Sequence, residues 1–355
     1  MAGTEHSTLR RDIFYAVAAA ALFGASTPFA KLLLGELPPV ALAGILYLGS
    51  GLGLAAWWLV RRALDRTAEA GLKRSDLPWL AGAIAAGGIV GPALLMIGLA
   101  STPASSSALL LNLEGVLTAI LAWTLFRENF DRRIALGMAA IVAGGAVLSW
   151  AGTPEVGVPW GPLAIAGACC AWAIDNNLTR KVSASDPVEV AAIKGLAAGT
   201  VNLAFGFALG FPIPGASVVF AAATVGLLGY GVSLVCFVLA LRHLGTARTG
   251  AYFSLAPFVG AGLSLVVLGE SATVSLAIAA VLMGIGVWLH LTEQHRHEHV
   301  HEPLDHDHLH THDEHHLHGH TPDDPPGEPH SHSHRHGVLK HTHTHYPDIH
   351  HRHGH

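Results

Sequence analysis

Residues 104–128 read ASSSALLLNLEGVLTAILAWTLFRE, and residues 247–270 read ARTGAYFSLAPFVGAGLSLVVLGE. The two stretches share small opening residues, a central leucine and a closing glutamate. The matches are 142 or 143 residues apart: Ala104-Ser-Ser-Ser-Ala108, Leu113 and Phe126-Arg-Glu128 against Ala247-Arg-Thr-Gly-Ala251, Leu255 and Leu268-Gly-Glu270. A similar echo joins the stretch ending at Lys31 to the stretch ending at Lys181, 150 residues later. The chain is therefore predicted to contain two related halves.

The composition indicates an integral membrane protein. Of the 355 residues, 51% are hydrophobic and only 13% are charged, whereas roughly a quarter are charged in soluble proteins. Ten apolar stretches are long enough to cross a bilayer as helices, which takes about 20 residues each. They lie near 12–34, 39–60, 78–100, 104–126, 132–150, 160–180, 188–209, 216–241, 246–268 and 271–291. The predicted fold class is an all-α membrane protein with ten transmembrane helices.

These ten spans divide into two five-helix repeats, 12–150 and 160–291, after a short N-terminal segment, 1–11. Because five is odd, the second repeat must enter the membrane with the opposite polarity, and inverted repeats are a common plan of secondary transporters. If the N-terminus is cytoplasmic, fourteen basic residues fall on that side and only Lys31 lies near the outer side. The positive-inside rule therefore predicts a multi-pass protein of the inner (plasma) membrane with both termini in the cytoplasm.

The repeated motifs resemble the drug/metabolite transporter superfamily, in its two-repeat EamA-type branch. The resemblance covers about residues 12–291 and rests on the Thr-x-Ala or Ala-Ser openings of the fourth and ninth spans and on Leu268-Gly-Glu270. It implies alternating access of a central cavity, usually for the export of small metabolites. One departure is that the ninth span carries Ala256-Pro257 where the matching point of the fourth reads Glu114-Gly115.

Glu114 is the first candidate for the transport cavity. It lies near the middle of the fourth span, with Asn112 two residues earlier. A charged side chain at the bilayer centre costs at least ~2.5–3.5 kcal/mol, so it should face a cavity or a partner. We expect Glu114 to bind substrate or carry a proton; the alternative is a structural, hydrogen-bonded carboxyl.

Asp175, Asn176 and Asn177 form a second polar cluster, in the sixth span. Three consecutive helical residues spread over about 200°, so at least one of them should bond a neighbouring helix instead of facing the cavity. Lys194, in the seventh span, either snorkels to the cytoplasmic surface or forms an ion pair with Glu114 or Asp175. Both interpretations are open from the sequence.

Three prolines, Pro28, Pro92 and Pro257, lie inside predicted helices. Proline removes a backbone hydrogen bond and can kink its helix. They are candidate hinges, although such residues in membrane helices often serve packing.

The segment 292–355 is rich in histidine and poor in apolar residues: 23 of the 26 histidines lie between His295 and His355. A segment of this composition is predicted to be disordered without metal and cytoplasmic. His-x-His spacing places both rings on one side of an extended chain, where they can share an ion such as Zn, Ni, Co or Cu. The candidate ligands are His295, His297, His299, His301, His306, His308, His310, His312, His330, His332, His334, His336, His341, His343 and His345.

The leading hypothesis is a secondary transporter that exports a small metabolite, with the tail binding metal. The rival is an exporter of a divalent transition metal, loaded from the tail and passed to Glu114 and Asp175. A third hypothesis is a membrane-anchored metal buffer, and a fourth treats the tail as a cloning artefact. The rival's weakness is that such metals prefer imidazole or thiolate ligands, and the spans contain few of these.

The sequence contains no arrangement typical of an enzyme: no nucleophile beside a base, no phosphate-binding glycine loop and no Cys-x-x-Cys pair. No cofactor is expected beyond a metal ion on the tail. The expected partners are the lipid bilayer and a small-molecule or ion substrate, with proton coupling and a homodimer as further hypotheses. The net charge of −5 indicates no nucleic-acid partner.

Overall fold

A computed structural model describes residues 2–64, 71–126, 132–150, 159–182, 185–292, 296–301, 304–310, 330–336 and 339–344. Within these ranges, residues 2–292 are built from α-helices. They are α1 Ala2–Leu33, α2 Pro39–Leu64, α3 Leu77–Ala83, α4 Gly91–Ser101, α5 Ala104–Leu110, α6 Leu113–Phe126, α7 Arg132–Trp150, α8 Trp160–Thr179, α9 Pro187–Ala208, α10 Ala216–Gly226, α11 Ser233–Phe253, α12 Ala256–Val267 and α13 Val274–Leu291. Single 3₁₀ turns lie at Arg74–Asp76 and Arg180–Val182.

The described residues include eight helical segments that are long and apolar enough to cross a membrane. The all-α membrane fold is therefore confirmed, and the count of ten spans stays a prediction. The sixth predicted span corresponds to α8, and much of the ninth to the shorter apolar helix Ala256–Val267. One boundary is wrong: helix α11 is continuous across residues 242–245, where the sequence separates the eighth and ninth spans. This stretch contains no proline to end a helix.

The helical irregularities of the two halves occur in matched pairs. Helices α3 and α4 are joined by a π-helical segment, Ile84–Val90, and α10 and α11 by another, Leu227–Val232; their first residues are 143 positions apart. The fourth span is broken at residues 111–112, between α5 and α6, and the chain is broken again at residues 254–255, between α11 and α12. The members of each pair are separated by the offset of the sequence repeat. Both halves therefore have a π-helical segment followed by a break, in the same order.

Helices of one half pack on helices of the other, and the sequence repeat relates each of these pairs to itself or to another pair. Helix α2 lies along α9 and α7 along α13, while α4 packs on α8 as α1 packs on α11. The α2–α9 contact requires glycine: a Cβ at Gly51 would lie 2.4 Å from the Leu196 nitrogen, and one at Gly195 would lie 2.8 Å from the Gly51 Cα. The interface between the halves is therefore closely packed backbone against backbone.

The described residues of the tail form four short strands: β1 Arg296–His301, β2 Leu304–His310, β3 His330–His336 and β4 Leu339–Thr344. Strand β1 pairs antiparallel with β4, and β2 with β3. Alternation of residue types with a period of two is also the pattern of a strand. That the segment as a whole is disordered without metal stays a prediction. Of the candidate ligands, His295, His312 and His345 lie outside the described residues.

Candidate transport site at the broken helices

Glu114 lies in the first turn of helix α6, directly after the break in the fourth span. At the break, the Asn112 amide nitrogen donates to the Leu109 carbonyl oxygen at 2.9 Å and approaches the Met283 sulfur at 3.8 Å. A side chain that bonds the backbone of its own turn competes with regular helix geometry. Asn112 is buried, so the structure places it in the break itself and not beside the Glu114 carboxylate.

The Glu114 carboxylate has one polar partner from another helix. Asn176 of α8 donates its amide to Glu114 Oε1 at 2.8 Å and also lies 3.4 Å from the Thr118 hydroxyl. Within the part of the chain that the structure describes, no basic side chain forms an ion pair with Glu114. The N-terminal end of α6 favours negative charge through its helix dipole. The break and Asn176 therefore hold a carboxylate that has no cationic partner among these residues.

This part of the molecule is accessible although helices surround it. Glu114 is half-buried and Asn176 is exposed, and a Cβ placed on Gly115 would meet nothing within 4 Å. Asn176 lies one turn after Trp172, so both point to the same side of α8, and Trp172 packs inward against the π-helical segment of the third span. The accessible surface around Glu114 and Asn176 therefore faces the interior of the bundle.

Asp175 is neutralised by Lys194. The Lys194 ammonium lies 2.6 and 2.8 Å from the two carboxylate oxygens and 3.1 Å from the Thr179 hydroxyl, which itself donates to Asp175 at 2.8 Å. Both side chains are largely buried. Gly87 makes room for them, because a Cβ there would lie 2.0 Å from Asp175 Oδ2. Of the two sequence interpretations of Lys194, the structure has the ion pair, with Asp175 as the partner.

The third member of the cluster, Asn177, points elsewhere. Its amide donates to the Ala173 carbonyl of its own helix at 2.9 Å and reaches the Thr118 carbonyl at 3.5 Å. The three consecutive residues thus separate as helix geometry requires: Asp175 pairs with lysine, Asn176 meets Glu114, and Asn177 bonds backbone. Among them, Asn176 is the one that contacts the Glu114 carboxylate.

An aromatic wall was missed by the sequence reasoning. It comprises Phe23, Tyr47, Tyr230, Phe237 and Phe253. Ring centroids are 5.6 Å apart for Tyr47 and Tyr230, 5.8 Å for Tyr230 and Phe23, 5.4 Å for Phe23 and Phe253, and 4.8 Å for Phe253 and Phe237. The Tyr47 hydroxyl donates to the Gly87 carbonyl oxygen, at the glycine against which the Asp175 carboxylate packs. In a sequence, aromatic residues in apolar helices look the same whether they face lipid, core or cavity, so no signal distinguished these five.

The π-helical segment Ile84–Val90 is stabilised by side chains of three other spans. The Gly87 carbonyl accepts from Trp172 Nε1 at 2.9 Å and from the Tyr47 hydroxyl at 3.3 Å. The next two carbonyls, at residues 88 and 89, accept from the Asn202 amide at 3.2 and 3.3 Å. Irregular backbone at membrane depth needs such substitutes for its lost helical bonds. The segment is therefore fixed against α2, α8 and α9.

The three candidate hinge prolines have different positions. Pro28 lies inside α1. Pro92 follows the π-helical segment inside the continuous helical span Arg74–Ser101, so its position is helix-interior. Pro257 lies in the first turn of α12, where a helix tolerates the missing N–H. For Pro257 the prediction of a helix-interior position is wrong, because this residue directly follows the break at residues 254–255. Whether any of them acts as a hinge stays a prediction.

At the predicted outer end, a lysine and a glutamate tie helix ends together. The Lys31 ammonium donates to the carbonyls of Leu99, Ala100 and Thr102 at 2.5, 3.2 and 2.9 Å. The Glu270 carboxylate accepts from the backbone amides of Ala104 and Ser105 at 2.6 and 2.9 Å. Glu270 of the Leu268-Gly-Glu270 motif thus caps the N-terminus of α5, a favourable position for negative charge.

At the opposite end, the predicted cytoplasmic one, Arg61 of α2 forms an ion pair with Asp186. Asp186 also caps helix α9, because its carboxylate accepts from the Val188 amide at 2.9 Å. Ties between spans therefore exist at both ends of the described bundle, on either side of the polar centre.

Metal-ligand geometry is absent from the part that the structure describes: no group of three or more His, Cys, Asp or Glu side chains there could hold an ion. Cys169 is buried, with its sulfur 3.7 Å from the Leu110 carbonyl oxygen. His290 lies against the Ile134 carbonyl oxygen at 3.1 Å. In the tail, the backbone register places histidine opposite histidine, for example His297 with His343 and His308 with His332.

Broken spans in two related halves, around a polar centre within a helical membrane bundle, define a secondary transporter architecture. The profile of the EamA-like transporter family matches the chain twice, over residues 10–150 and 159–292. The chain belongs to the EamA-like transporter family, within the drug/metabolite transporter superfamily. The proposed resemblance is confirmed, and with it a multi-pass membrane protein whose family points to transport rather than enzymatic catalysis.

The proteins similar to the chain include the following two. One is an uncharacterized transporter of Methanothermobacter thermautotrophicus (strain ATCC 29096 / DSM 1053 / JCM 10044 / NBRC 100330 / Delta H), 26% identical over 286 residues, which span 75% of this chain and 82% of that protein. The other is a protein known from its crystal structure, 23% identical, with a TM-score of 0.57 over 79% of this chain and 95% of that one. The second similarity supports the fold.

Proposed function

We propose that the protein exports a small metabolite by alternating access, coupled to protons through Glu114. The observation that carries this proposal is the contrast between its two central carboxylates. Asp175 is held by Lys194, whereas Glu114 has an amide partner, no basic partner among the described residues, and accessible surface around it. Glu114 is therefore the carboxylate that can change its ligand.

Electrostatics supports the coupling. A carboxylate without a cation at the bilayer centre costs several kcal/mol, so Glu114 must be neutralised by a bound proton or by its substrate during each reorientation. If Glu114 always holds either a proton or the substrate when the protein reorients, the proton and the substrate must cross the membrane in opposite directions. Asn176 donates to the carboxylate in the described state and can orient it toward whichever ligand is present.

The test is a tolerance and content screen in a strain that lacks the gene. The strain is complemented with the full chain, with Glu114→Gln, or with Glu36→Gln, an exposed carboxylate in the turn after α1. Cells are challenged with toxic amino-acid-like metabolites and with Zn, Ni, Co and Cu, and their metal content is measured. We expect sensitivity to a metabolite that wild type and Glu36→Gln relieve and Glu114→Gln does not. Unchanged tolerance to every metabolite would contradict the proposal.

The metal-exporter alternative is supported by the tail alone. In this alternative Glu114 and Asp175 receive the metal from the tail. Asp175 is less available as a ligand than Glu114, because it already forms an ion pair with Lys194. Accumulation of one metal in the deletion strain, relieved by wild type, would favour this alternative and overturn metabolite export. The same screen therefore separates the two functions.

We further propose that the His-rich tail is a cytoplasmic metal sensor or buffer. The antiparallel registers that oppose His306 to His334 and His310 to His330 bring paired imidazole-bearing positions to adjacent strands, about 4.5–5.5 Å apart at the backbone. Deleting residues 295–355 should remove most zinc binding by the purified protein and leave metabolite export at low metal intact. Loss of export in metal-free medium would contradict an appendage role.

A further inference from the structure

Basic side chains pack on tryptophan rings at one end of the described bundle. The distances from the cation to the ring centroid are 5.1 Å for Arg62 over Trp58, 5.5 Å for Arg133 over Trp288 and 5.9 Å for Lys181 over Trp79. All three pairs lie at the predicted cytoplasmic end, where α2, α8 and α13 end and α3 and α7 begin. Tryptophan at such a membrane–water boundary lies at the level of the lipid headgroups.

The opposite end has tryptophan without this partner. Trp150, at the end of α7, and Trp160, at the start of α8, are each 74% exposed. Within the described residues, no cation lies over either ring. Lys31 at this end donates instead to three backbone carbonyls. In the part of the chain that the structure describes, tryptophan that carries a basic group is therefore found at one membrane surface and not at the other.

The pair of Arg133 and Trp288 is held between two rigidly packed helices. Arg133, in the first turn of α7, also donates to the Thr292 hydroxyl at 2.9 Å, directly after the end of α13. The two helices meet backbone to backbone: a Cβ on Gly137 would lie 2.9 Å from the Gly286 carbonyl oxygen, and one on Gly286 would lie 2.6 Å from the Gly137 carbonyl oxygen. A cation that is already fixed in place loses little freedom when it binds a ligand.

Arg133 keeps hydrogen-bonding capacity for an anion. A guanidinium has five N–H donors, and Arg133 uses one of them on the Thr292 hydroxyl. Among the described residues, no carboxylate forms an ion pair with Arg133, whereas Arg61 at the same end is paired with Asp186. Phosphate oxygens suit the remaining donors, because the planar guanidinium can bind two of them at once.

An exposed apolar stripe on α13 leads from Trp288 into the membrane. It consists of Ile278, Val281, Ile285 and Trp288, which are all exposed and recur every three or four residues on one face of the helix. The helix between Ile278 and Trp288 rises about 15 Å, which is half of the ~30 Å hydrocarbon core of a bilayer. The stripe therefore matches the acyl region of one leaflet, with the Arg133 guanidinium at its headgroup end.

We infer that Arg133, Trp288 and this stripe form a binding site for an anionic phospholipid, with the phosphate on the guanidinium and an acyl chain along α13. The inference goes beyond the proposed function and does not depend on the transported substrate. Charge favours a lipid over a second copy of the chain. In a two-fold dimer of parallel α13 helices, the two Arg133 side chains would lie at the same depth and repel each other.

The test is native mass spectrometry of the purified full chain in detergent, titrated with phosphatidylglycerol or with phosphatidylcholine of the same acyl chains. The number of lipids bound at each concentration gives the affinity of the tightest site. We expect this site to prefer phosphatidylglycerol about fivefold, which is the contribution of one basic residue beside an anionic headgroup. Inorganic phosphate should not displace the lipid, because it has no acyl chain to lie on the stripe.

Variants separate the site from the general positive charge of this end. Arg133→Gln should weaken phosphatidylglycerol binding about fivefold, and Arg133→Lys should keep part of the preference. Trp288→Leu should weaken it about twofold to fivefold, because the guanidinium loses the ring that holds it. Arg74→Gln is the matched control: Arg74 is exposed at the same end, and it packs on no tryptophan among the described residues. Unfolding temperatures identify variants that fail to fold, and Arg133→Lys keeps the site testable if Arg133→Gln does not fold.

Equal affinity for the two lipids, an affinity that Arg133→Gln leaves unchanged, or an equal loss in Arg74→Gln would overturn the inference. Displacement of the lipid by inorganic phosphate would show a phosphate site without a lipid and would overturn it as well. A lipid-free dimer that Trp288→Leu dissociates would assign the stripe to a second copy, which also contradicts the inference.

Discussion

The two broken spans have the same backbone interruption and opposite chemistry. In the fourth span the break leads into Glu114-Gly115, with an accessible carboxylate and open space beside the glycine. In the second half the equivalent break leads into Ala256-Pro257, and Ala256 is only 1% exposed. A duplicated architecture thus supplies two discontinuous helices, and the carboxylate proposed to bind the transported ligand lies in one of them.

This difference teaches that the break and the carboxylate are separable features. The break is a property of the repeat, since it recurs without charge. Glu114 is an addition to the first half, where the helix N-terminus and Asn176 stabilise it. We expect changes at Glu114 to affect transport far more than folding. Changes at the shared break should affect folding far more than transport.

The most direct way to break the comparison is to give the fourth span the sequence of the ninth, with Glu114→Ala and Gly115→Pro together. The helix should still break at this point, because proline is tolerated in the first turn. Transport should be abolished, since the only carboxylate without a lysine in the described centre is gone. Proteoliposome uptake of the screened substrate under a pH gradient measures the loss.

The control is Gly115→Pro alone. It should insert, and it should keep part of the transport and its pH dependence. A double variant that still transports in response to pH would show that Glu114 is not the coupling residue.

The second largest effect concerns the Asp175–Lys194 pair, which has no counterpart in the first half at the matched positions. Lys194→Met should destabilise the protein by about 3–5 kcal/mol, because it leaves a buried carboxylate without its cation. Replacing both residues, Asp175→Asn with Lys194→Met, should restore most of that loss. Thermal unfolding in detergent measures the difference between the single and the double variant.

If the double variant is no more stable than Lys194→Met, the pair does not act as a unit. Its transport gives a second reading: retained proton coupling in the double variant would agree with a structural pair and with Glu114 as the coupling residue. Loss of coupling in a stable double variant would mean that the lysine pair takes part in transport.

The duplication explains how much of this arrangement could be predicted. The offset between residues 104–128 and 247–270 identified the two repeated spans, because small residues, a central leucine and a terminal glutamate recur together. The breaks within them were not predicted. Glu114 and the separation of Asp175, Asn176 and Asn177 followed from the cost of buried charge and from helix geometry. These arguments need only local sequence.

What could not be predicted depends on contacts between distant spans. The sequence does not reveal the π-helical segment Ile84–Val90, whose carbonyls accept hydrogen bonds from Tyr47, Trp172 and Asn202 of three other helices. The sequence likewise did not decide whether Lys194 forms an ion pair with Asp175 or with Glu114. The π-helical segment and the Asp175–Lys194 pair both depend on which helices pack against each other. The residue pattern within a single span contains no information about that packing.

A moderate effect is expected at Glu270, in the motif that ends the ninth span. Glu270→Gln keeps the size of the side chain but removes the charge from the two hydrogen bonds that cap α5 at the predicted outer end. The loss should be about 1.5–3 kcal/mol for bonds to a charged group. Because this cap joins the second half to the first, we expect its loss to favour opening at that end.

The measurement is the labelling rate of a cysteine at Ser106, in the first turn of α5 beside the capped amides, by a membrane-impermeant maleimide from outside. Faster labelling in Glu270→Gln than in the otherwise identical parent is the expected result. Glu36→Gln, which changes an exposed carboxylate that caps no helix in the described region, should leave the rate unchanged. An unchanged rate in Glu270→Gln would mean that this tie does not resist opening.

The smallest effect is expected for Pro257→Ala. This variant tests whether the break at residues 254–255 is caused by Pro257 itself or by the architecture that both halves share. Pro257 occupies the first turn of α12, where its missing N–H costs the helix nothing, and the matched fourth span breaks with glycine at that position. We therefore expect a stability change below about 1 kcal/mol and transport within a few-fold of wild type. Pro28→Ala is the contrasting variant, because Pro28 lies inside α1, where alanine can restore a helical bond. A large loss of transport in Pro257→Ala, with stability retained, would instead make this proline a hinge of the second half.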